Sequence, residues 1–472
     1  MKTGLCEKSK SISFIMLCTC MAYAVFFGTS VFLSVGSISL WRMLIAATVV
    51  TAVPVVIKNF KAAVLNPFFI TLAAFGAWLA VAALMGRANS HGTEFIVRDI
   101  KSFAYLSLFP ITVCILTDKS RLKILLAFVM YASFALSILS TVFMLSYILL
   151  PSLSESMLRV FWRFEFINFT QVSDKIARVL FVSTPFQLFG CAIPFYFQAE
   201  REKFSRFYPV VTGLGLFSIL ITYTRSLYLA TFVTAVAVVV LTLAAVDGKK
   251  RKNVWKHIAS SAAVVAAIVL VFSLCARVNY IGYAFQRVFV THAPGESADP
   301  GGIPGDKTPG NDSNIQHEPS SNHEIPEFND PDSYLDATKV SDAIREELKI
   351  NLVKEIKKSP FTGNGLGLTI NGRESLPELF MYDLAAKAGL VGLLLFFAPL
   401  FIALVAVAKS LKRRMHCLEL YIWTGCVLGL FAYACFQPYM NNAPCMTVYS
   451  CLMSIALLQN RELKEKKTEE VT

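Results

Sequence analysis

The amino-acid sequence predicts an all-α integral membrane protein, and three observations carry that class. The chain is 55% hydrophobic and only 16% charged, with a mean hydropathy of +0.56, which leaves too little polar surface for a water-soluble fold of this size. Apolar runs of about 17 to 25 residues, the length that crosses a hydrocarbon core as helix, recur along it. The alternating segments of roughly ten residues that mark an outer-membrane barrel are absent.

Roughly twelve spans follow from the length rule, at 11–29, 36–57, 66–86, 100–117, 123–150, 179–198, 208–224, 226–246, 258–277, 380–407, 417–436 and 444–459. Almost no polar turn separates the two spans around Arg225. The chain thus divides into spans and short loops over 1–277, a large external loop over 278–379, and the last spans with a charged tail over 380–472. Met1 to Lys10 ahead of the first apolar run has the look of a signal peptide. No convincing small-residue cleavage site follows, so an uncleaved first span is expected.

Lysine and arginine in alternate short loops set the orientation. Lys2, Lys8 and Lys10, then Lys58 and Lys61, then Lys119, Arg121 and Lys123 fall on one face. Arg201 to Arg206, Lys249 to Lys252, Lys409 to Arg414 and Arg461 to Lys467 join them. Both termini are therefore expected in the cytoplasm. The formal charge of +12 is explained as a topology signal, and no nucleic-acid partner is expected. The eleven cysteines sit almost entirely within spans, without CxxC or metal-ligand spacing, and read as small apolar packing residues.

Two external segments exceed simple turns. Residues 151–177 interleave Phe161, Trp162, Phe164, Phe166 and Phe169 with Arg159, Arg163 and Glu165, the composition of a segment lying at the headgroups. The larger loop opens with a stretch over 291–333 rich in Pro, Gly, Asn, Asp and Ser, expected to be flexible because it has little apolar surface to bury. Its His292, His317 and His323 lack a framework for a metal site. From 334 to 358 the pattern changes. Val340, Ile344, Leu348, Leu352 and Ile356 recur every four residues, one stripe of an amphipathic helix. Ser341 or Asp342 is its expected cap, and Pro360 its stop. Such a helix, tied to the next span, can lie over a cavity as a lid.

An ionisable residue in a span is a functional candidate. Arg225 in ITYTRSLYLA is the outstanding one; Arg42 and Arg178 occupy comparable positions. Each, taken alone, also fits an arginine snorkelling to the headgroups. On the predicted topology Arg225, Arg345, Arg373, Glu374 and Glu378 gather on the external side, with Arg178 near them. Arginine's fork of donors suits phosphate oxygens, and a carboxylate beside them can act as a base. Glu378 also fits a helix N-terminal carboxylate favoured by the macrodipole.

The order SPFTGNGLG, a polar gap, then ELFMYDLAAKAGLVGLLLFF resembles the signature of the O-antigen ligase and O-antigen polymerase superfamily, and TYTRSLYLA resembles that family's Thr/Ser-Arg-Ser motif. The likeness covers residues from about 180 to 400. It implies a C-type glycosyltransferase fold acting outside the cytoplasm, at a bacterial inner membrane, on undecaprenyl-diphosphate-linked glycans. By position, Arg225 and Arg345 would bind the donor diphosphate, with Arg178 and Arg373 as further candidates and Gln187 a weaker one. The base falls at Glu378, eleven residues before Gly389, with Glu374 as the second candidate. Ligases of the family usually carry histidine there, so glutamate favours the polymerase branch. The resemblance implies no cofactor and no metal, because arginines fill the electrostatic role. It also implies a flippase and a chain-length regulator as partners. A ligase transferring glycan to lipid A core, and a lipid-linked oligosaccharide flippase or transporter, are the alternative functions.

Overall fold

Apolar runs become long helices here because polar residues stop and start them. Asn66 accepts a hydrogen bond from the Phe69 amide at 2.9 Å, with Pro67 in the first helical turn. Asp118 accepts from the Arg121 amide at 2.9 Å in the same way. The computed structural model describes residues 2–27, 34–35, 38–171, 176–201, 203–280, 282, 331–370, 373–374, 379–413, 417–437 and 443–469.

In chain order the described helices are α1 (Lys2–Phe27), α2 (Leu40–Lys58), α3 (Phe60–Val64), α4 (Pro67–Ala88), α5 (Thr93–Phe103), α6 (Phe109–Ile115), α7 (Lys119–Leu149) and α8 (Pro151–Arg163). They continue with α9 (Gln187–Glu200), α10 (Phe207–Leu220), α11 (Arg225–Ala245), α12 (Gly248–Ala276), α13 (Pro331–Lys358), α14 (Phe380–Lys412), α15 (Leu418–Ala434) and α16 (Ala443–Glu469). Three short antiparallel pairs accompany them: β1 (Ser34–Val35) with β2 (Ile38–Ser39), β3 (Ile167–Gln171) with β4 (Ala177–Phe181), and β5 (Thr369–Ile370) with β6 (Arg373–Glu374).

Among the described residues, seven helices are long and apolar enough to cross a membrane: α1, α2, α4, α7, α11, α12 and α14. The shorter α10 and α15 are also apolar. Val50, Ile57, Ile70, Leu84, Phe232 and Leu274 project outward from the long helices, each more than 60% exposed. A water-soluble monomer rarely exposes so many large apolar side chains along its helices, whereas lipid tails cover them. The centre is α15, buried almost end to end between α9, α11, α14 and α16. Its Trp423 is fully buried and donates to the Val448 carbonyl at 3.0 Å.

Several expectations change. The stretch read as a span over 100–117 is divided: α5 ends at Phe103, a 3₁₀ turn covers Ala104–Leu108, and α6 restarts at Phe109 with Pro110 in its first turn. That over 179–198 is likewise divided into β4, a 3₁₀ turn at Thr184–Phe186 containing Pro185, and α9. Proline removes an amide donor and favours a fresh helix start, which mean hydropathy does not register. Several of the aromatics of 151–177 pack against one another and their neighbours. Phe161, Phe166 and Phe169 build a small core with Phe143 and Phe181, with ring centroids 5.0 to 5.9 Å apart, under the amphipathic α8.

Basic loops meet at one end of the bundle. Lys119 pairs with Glu462 at 3.0 Å, Arg461 donates to the Ala62 carbonyl at 3.4 Å, and Asn253 donates to the Arg201 carbonyl at 3.4 Å. The 291–330 stretch and its three histidines lie outside the described residues.

Candidate functional site

The turn between α10 and α11 holds the TYTRS motif. Thr222 and Tyr223 are buried there, and Tyr223 takes a positive φ of 47°, an unusual conformation for a bulky residue and one that marks a strained turn. Thr224 precedes the helix and Arg225 opens it, exposed. Strand β4 docks on this turn through the Val179 amide, which donates to the Ile221 carbonyl at 3.2 Å. That docking carries Arg178 to the motif. Its Nε donates to the Thr222 carbonyl at 3.2 Å, and its Nη2 to Thr224 Oγ1 at 3.4 Å. That threonine immediately precedes Arg225.

Arg345 lies on α13, within electrostatic range of Tyr433. Tyr433, on the last turn of α15 and only 2% exposed, feels the charges of both Arg178 and Arg345. The docking of β4 thus sets Arg178 beside the N-terminus of α11, far from it in sequence, where the helix dipole adds positive potential. Guanidinium groups in such a setting suit phosphate or diphosphate oxygens. Gln187 is not part of this group. It is fully buried, accepts from Ser137 Oγ at 3.0 Å and donates to the Ser133 carbonyl at 3.1 Å, holding α7 to α9.

Helix α13 begins at Pro331, so Ser341 and Asp342 lie within it and neither caps its start. Leu348, Leu352 and Ile356 pack against Leu368, Ile370, Leu379 and Ala386, as the stripe requires. Ile344 departs from the stripe and is 47% exposed; the side chain of Val340 lies outside the described residues.

The SPFTGNGLG passage forms a clasp. The Asn364 amide donates to the Ala386 carbonyl at 2.9 Å, Gly365 to Lys387 at 3.0 Å, and Leu366 to Ala82 on α4 at 2.9 Å. In return, the Leu390 amide donates to the Pro360 carbonyl at 2.9 Å. Asn364 Nδ2 also donates to the Glu355 carbonyl at 2.8 Å, stopping α13 against the turn. Helix α14 is interrupted at Gly389, whose φ of 68° and ψ of −175° are accessible almost only to glycine. A Cβ there would collide with the Phe361 carbonyl oxygen. Where α4 meets the turn, a Cβ on Gly86 would collide with the Leu366 carbonyl oxygen.

Next to the clasp lies an ion triad. Lys387 Nζ is 2.9 Å from Asp99 Oδ1 and 3.0 Å from Asp383 Oδ2, with side chains 7%, 17% and 8% exposed respectively. The second oxygen of Asp99 accepts from the Gly367 amide at 2.7 Å. Tyr433, Asp99 and Lys387 did not stand out in the sequence. Asp383 and Lys387 carried a signal, charges four apart at the mouth of an apolar helix, but Asp99 is 288 positions from its partner.

Arg373 and Glu374 are placed only as backbone, in β6, where Ile370 pairs with Arg373 and Thr369 with Glu374. Glu378 lies outside the described residues, two positions before α14 begins. No protein-family model, curated protein or solved structure matches the chain.

Proposed function

We propose that this chain is a membrane glycosyltransferase that polymerises a polysaccharide, O-antigen or a similar glycan, from undecaprenyl-diphosphate-linked units. The grouping of Arg178 against the Thr222–Thr224 turn beside Arg225, with Tyr433 in the field of Arg178 and Arg345, supports this reading. Arginines suit a leaving diphosphate, whose negative charge grows as the glycosidic bond breaks. The resemblance of SPFTGNGLG and TYTRSLYLA to the O-antigen polymerase and ligase superfamily supplies the substrate class.

In this mechanism Glu378 accepts the proton from the non-reducing-end hydroxyl of an incoming lipid-linked repeat unit. The freed oxygen attacks the anomeric carbon of the donor chain, the bond to the diphosphate oxygen breaks, and the configuration inverts. Undecaprenyl diphosphate leaves into the charge of Arg225 and Arg345, with Arg178 shaping the turn that presents Arg225. Arg373 and Glu374 border the glycan side, Glu374 as the second candidate base. Losing one arginine contact raises the barrier by about 3 kcal/mol. The proposed topology has twelve crossings, counting the short or divided segments at 104–115, 177–200 and 207–220, together with α15 and α16, beside the seven long helices. The basic end faces the cytoplasm with both termini, and the arginines face outward at the bacterial inner membrane. A flippase supplies the substrate and a chain-length regulator tunes the product.

The test compares wild type with Glu378→Gln at equal membrane abundance, reading glycan length on a gel. The proposal expects single repeats to accumulate in the variant. Unchanged polymer length and yield would sink the assignment of the base. Loss of capped acceptor with lipid-linked polymer retained would identify a ligase instead.

A further inference from the structure

We infer that α8 is an interfacial helix docked on anionic phospholipid at the end of the bundle away from Lys119, and nothing in this rests on glycosyl transfer. Leu153 and Val160 meet the acyl chains, and Arg159 and Arg163 meet the headgroup phosphates. The depth of α8 follows from α7. Helix α7 has 31 residues, and at about 1.5 Å per residue it extends about 46 Å, the thickness of a bilayer from headgroup to headgroup. It starts at Lys119 among the basic loops, so its last turn reaches the opposite headgroup layer. Exposed Phe128, Tyr131, Ile138, Val142, Leu145 and Leu149 follow one another along it at steps of three, four or seven residues, which makes one lipid-facing stripe. At Leu150 the backbone leaves the helix, with φ −137° and ψ 69°, and Pro151 starts α8 with no linker. The new helix is therefore laid down at headgroup depth.

One side of α8 is already occupied. Ser154 and Leu158 are buried, and Phe161 packs against Phe143 and Phe181. Leu153 and Val160, two turns apart on another side, are 45% and 50% exposed. They continue the α7 stripe past Leu149 and the exposed Leu150. Arg159 and Arg163 are exposed and flank this line, while the exposed Glu155 falls farther round the helix. An apolar line bordered by arginines is the pattern of a helix lying in the interface, and the guanidinium fork suits lipid phosphate. Continuity selects lipid as the occupant. The α8 line is the end of a stripe whose longer part belongs to a membrane-crossing helix, and the same bilayer covers both.

The experiment places the full chain in nanodiscs of phosphatidylcholine, alone or mixed with phosphatidylglycerol. A trace of phosphatidylcholine bearing an acyl-chain diazirine labels whatever the acyl chains touch, and mass spectrometry maps the label after illumination. Wild type is expected to label at Leu153 and Val160 as well as along the α7 stripe. Val160→Asp lowers the label on α8 about fivefold or more and leaves that on α7 unchanged, which also shows that the variant is folded. Hydrogen exchange of the peptide 151–163 slows about threefold or more when phosphatidylglycerol is added. The double variant Arg159→Gln/Arg163→Gln loses that slowing and keeps the acyl label. Label on α7 with none on α8 overturns the docking, whether α8 stands in water or a second copy covers it, the latter seen as two chains per disc. Equal exchange in the two lipids, or slowing that survives in the double variant, overturns the role of the arginines.

Discussion

The clasp around residues 359–391 and the arginine group around the Thr222–Arg225 turn occupy the same end of the bundle but are built on opposite plans. The clasp is over-determined: backbone amides from several positions, a glycine that no other residue can replace, and a triad of charges satisfied among themselves. In the arginine group, Arg178 is tied to its turn by two bonds, while Arg225 is exposed and Arg345 half-exposed. Charges paired with one another hold structure, whereas the guanidinium of Arg178 bonds a backbone carbonyl and a threonine hydroxyl of the turn, the kind of group the proposed function assigns to a diphosphate. The difference teaches that a count of charges at the helix mouths is not a count of ligand contacts.

Substitutions should separate the two plans. Gly389→Val is expected to have the largest effect, about 4 kcal/mol or more of lost stability, because it adds both backbone strain and a clash with Phe361. Heating the detergent-solubilised protein and measuring the monodisperse fraction checks it; a variant as heat-resistant as wild type would break the idea of an over-determined clasp. Arg225→Ala should show the reverse signature, losing about 10²–10³-fold in transfer rate while melting like wild type. An unfolded Arg225 variant would mean that the arginine is structural. Leu352→Ala, in the anchored half of α13, is expected to cost about 2–3 kcal/mol, read by the same melting assay. Ile344→Ser, on the exposed part of the same helix, should shift stability by no more than about 0.5 kcal/mol, and a large loss would show a packing partner for that face.

How much of this was legible in the sequence follows from what each signal measures. Length and apolarity find α1, α2, α4, α7, α11, α12 and α14, because a helix in lipid must satisfy its backbone internally. The same measure cannot see that Pro110 and Pro185 divide apolar stretches, since proline changes hydrogen bonding far more than hydropathy. The four-residue stripe identifies α13 and its contacts at Leu348, Leu352 and Ile356. It assigns Ile344 to the same face, but periodicity says nothing about where the opposing surface ends. Arg225 and Arg178 stand out because charge among apolar residues is costly. Asp99 does not, because its value lies in a lysine on another helix and an amide in a distant turn.

The most direct measurement uses purified protein in nanodiscs with a single-repeat undecaprenyl-diphosphate-linked glycan as sole substrate, following product length and released undecaprenyl diphosphate together. The account predicts a ladder of longer lipid-linked glycans, one undecaprenyl diphosphate freed per linkage, and loss of both in Glu378→Gln and Arg225→Ala. Absence of any lengthened product from folded wild-type protein, or an undiminished ladder from either variant, would contradict it.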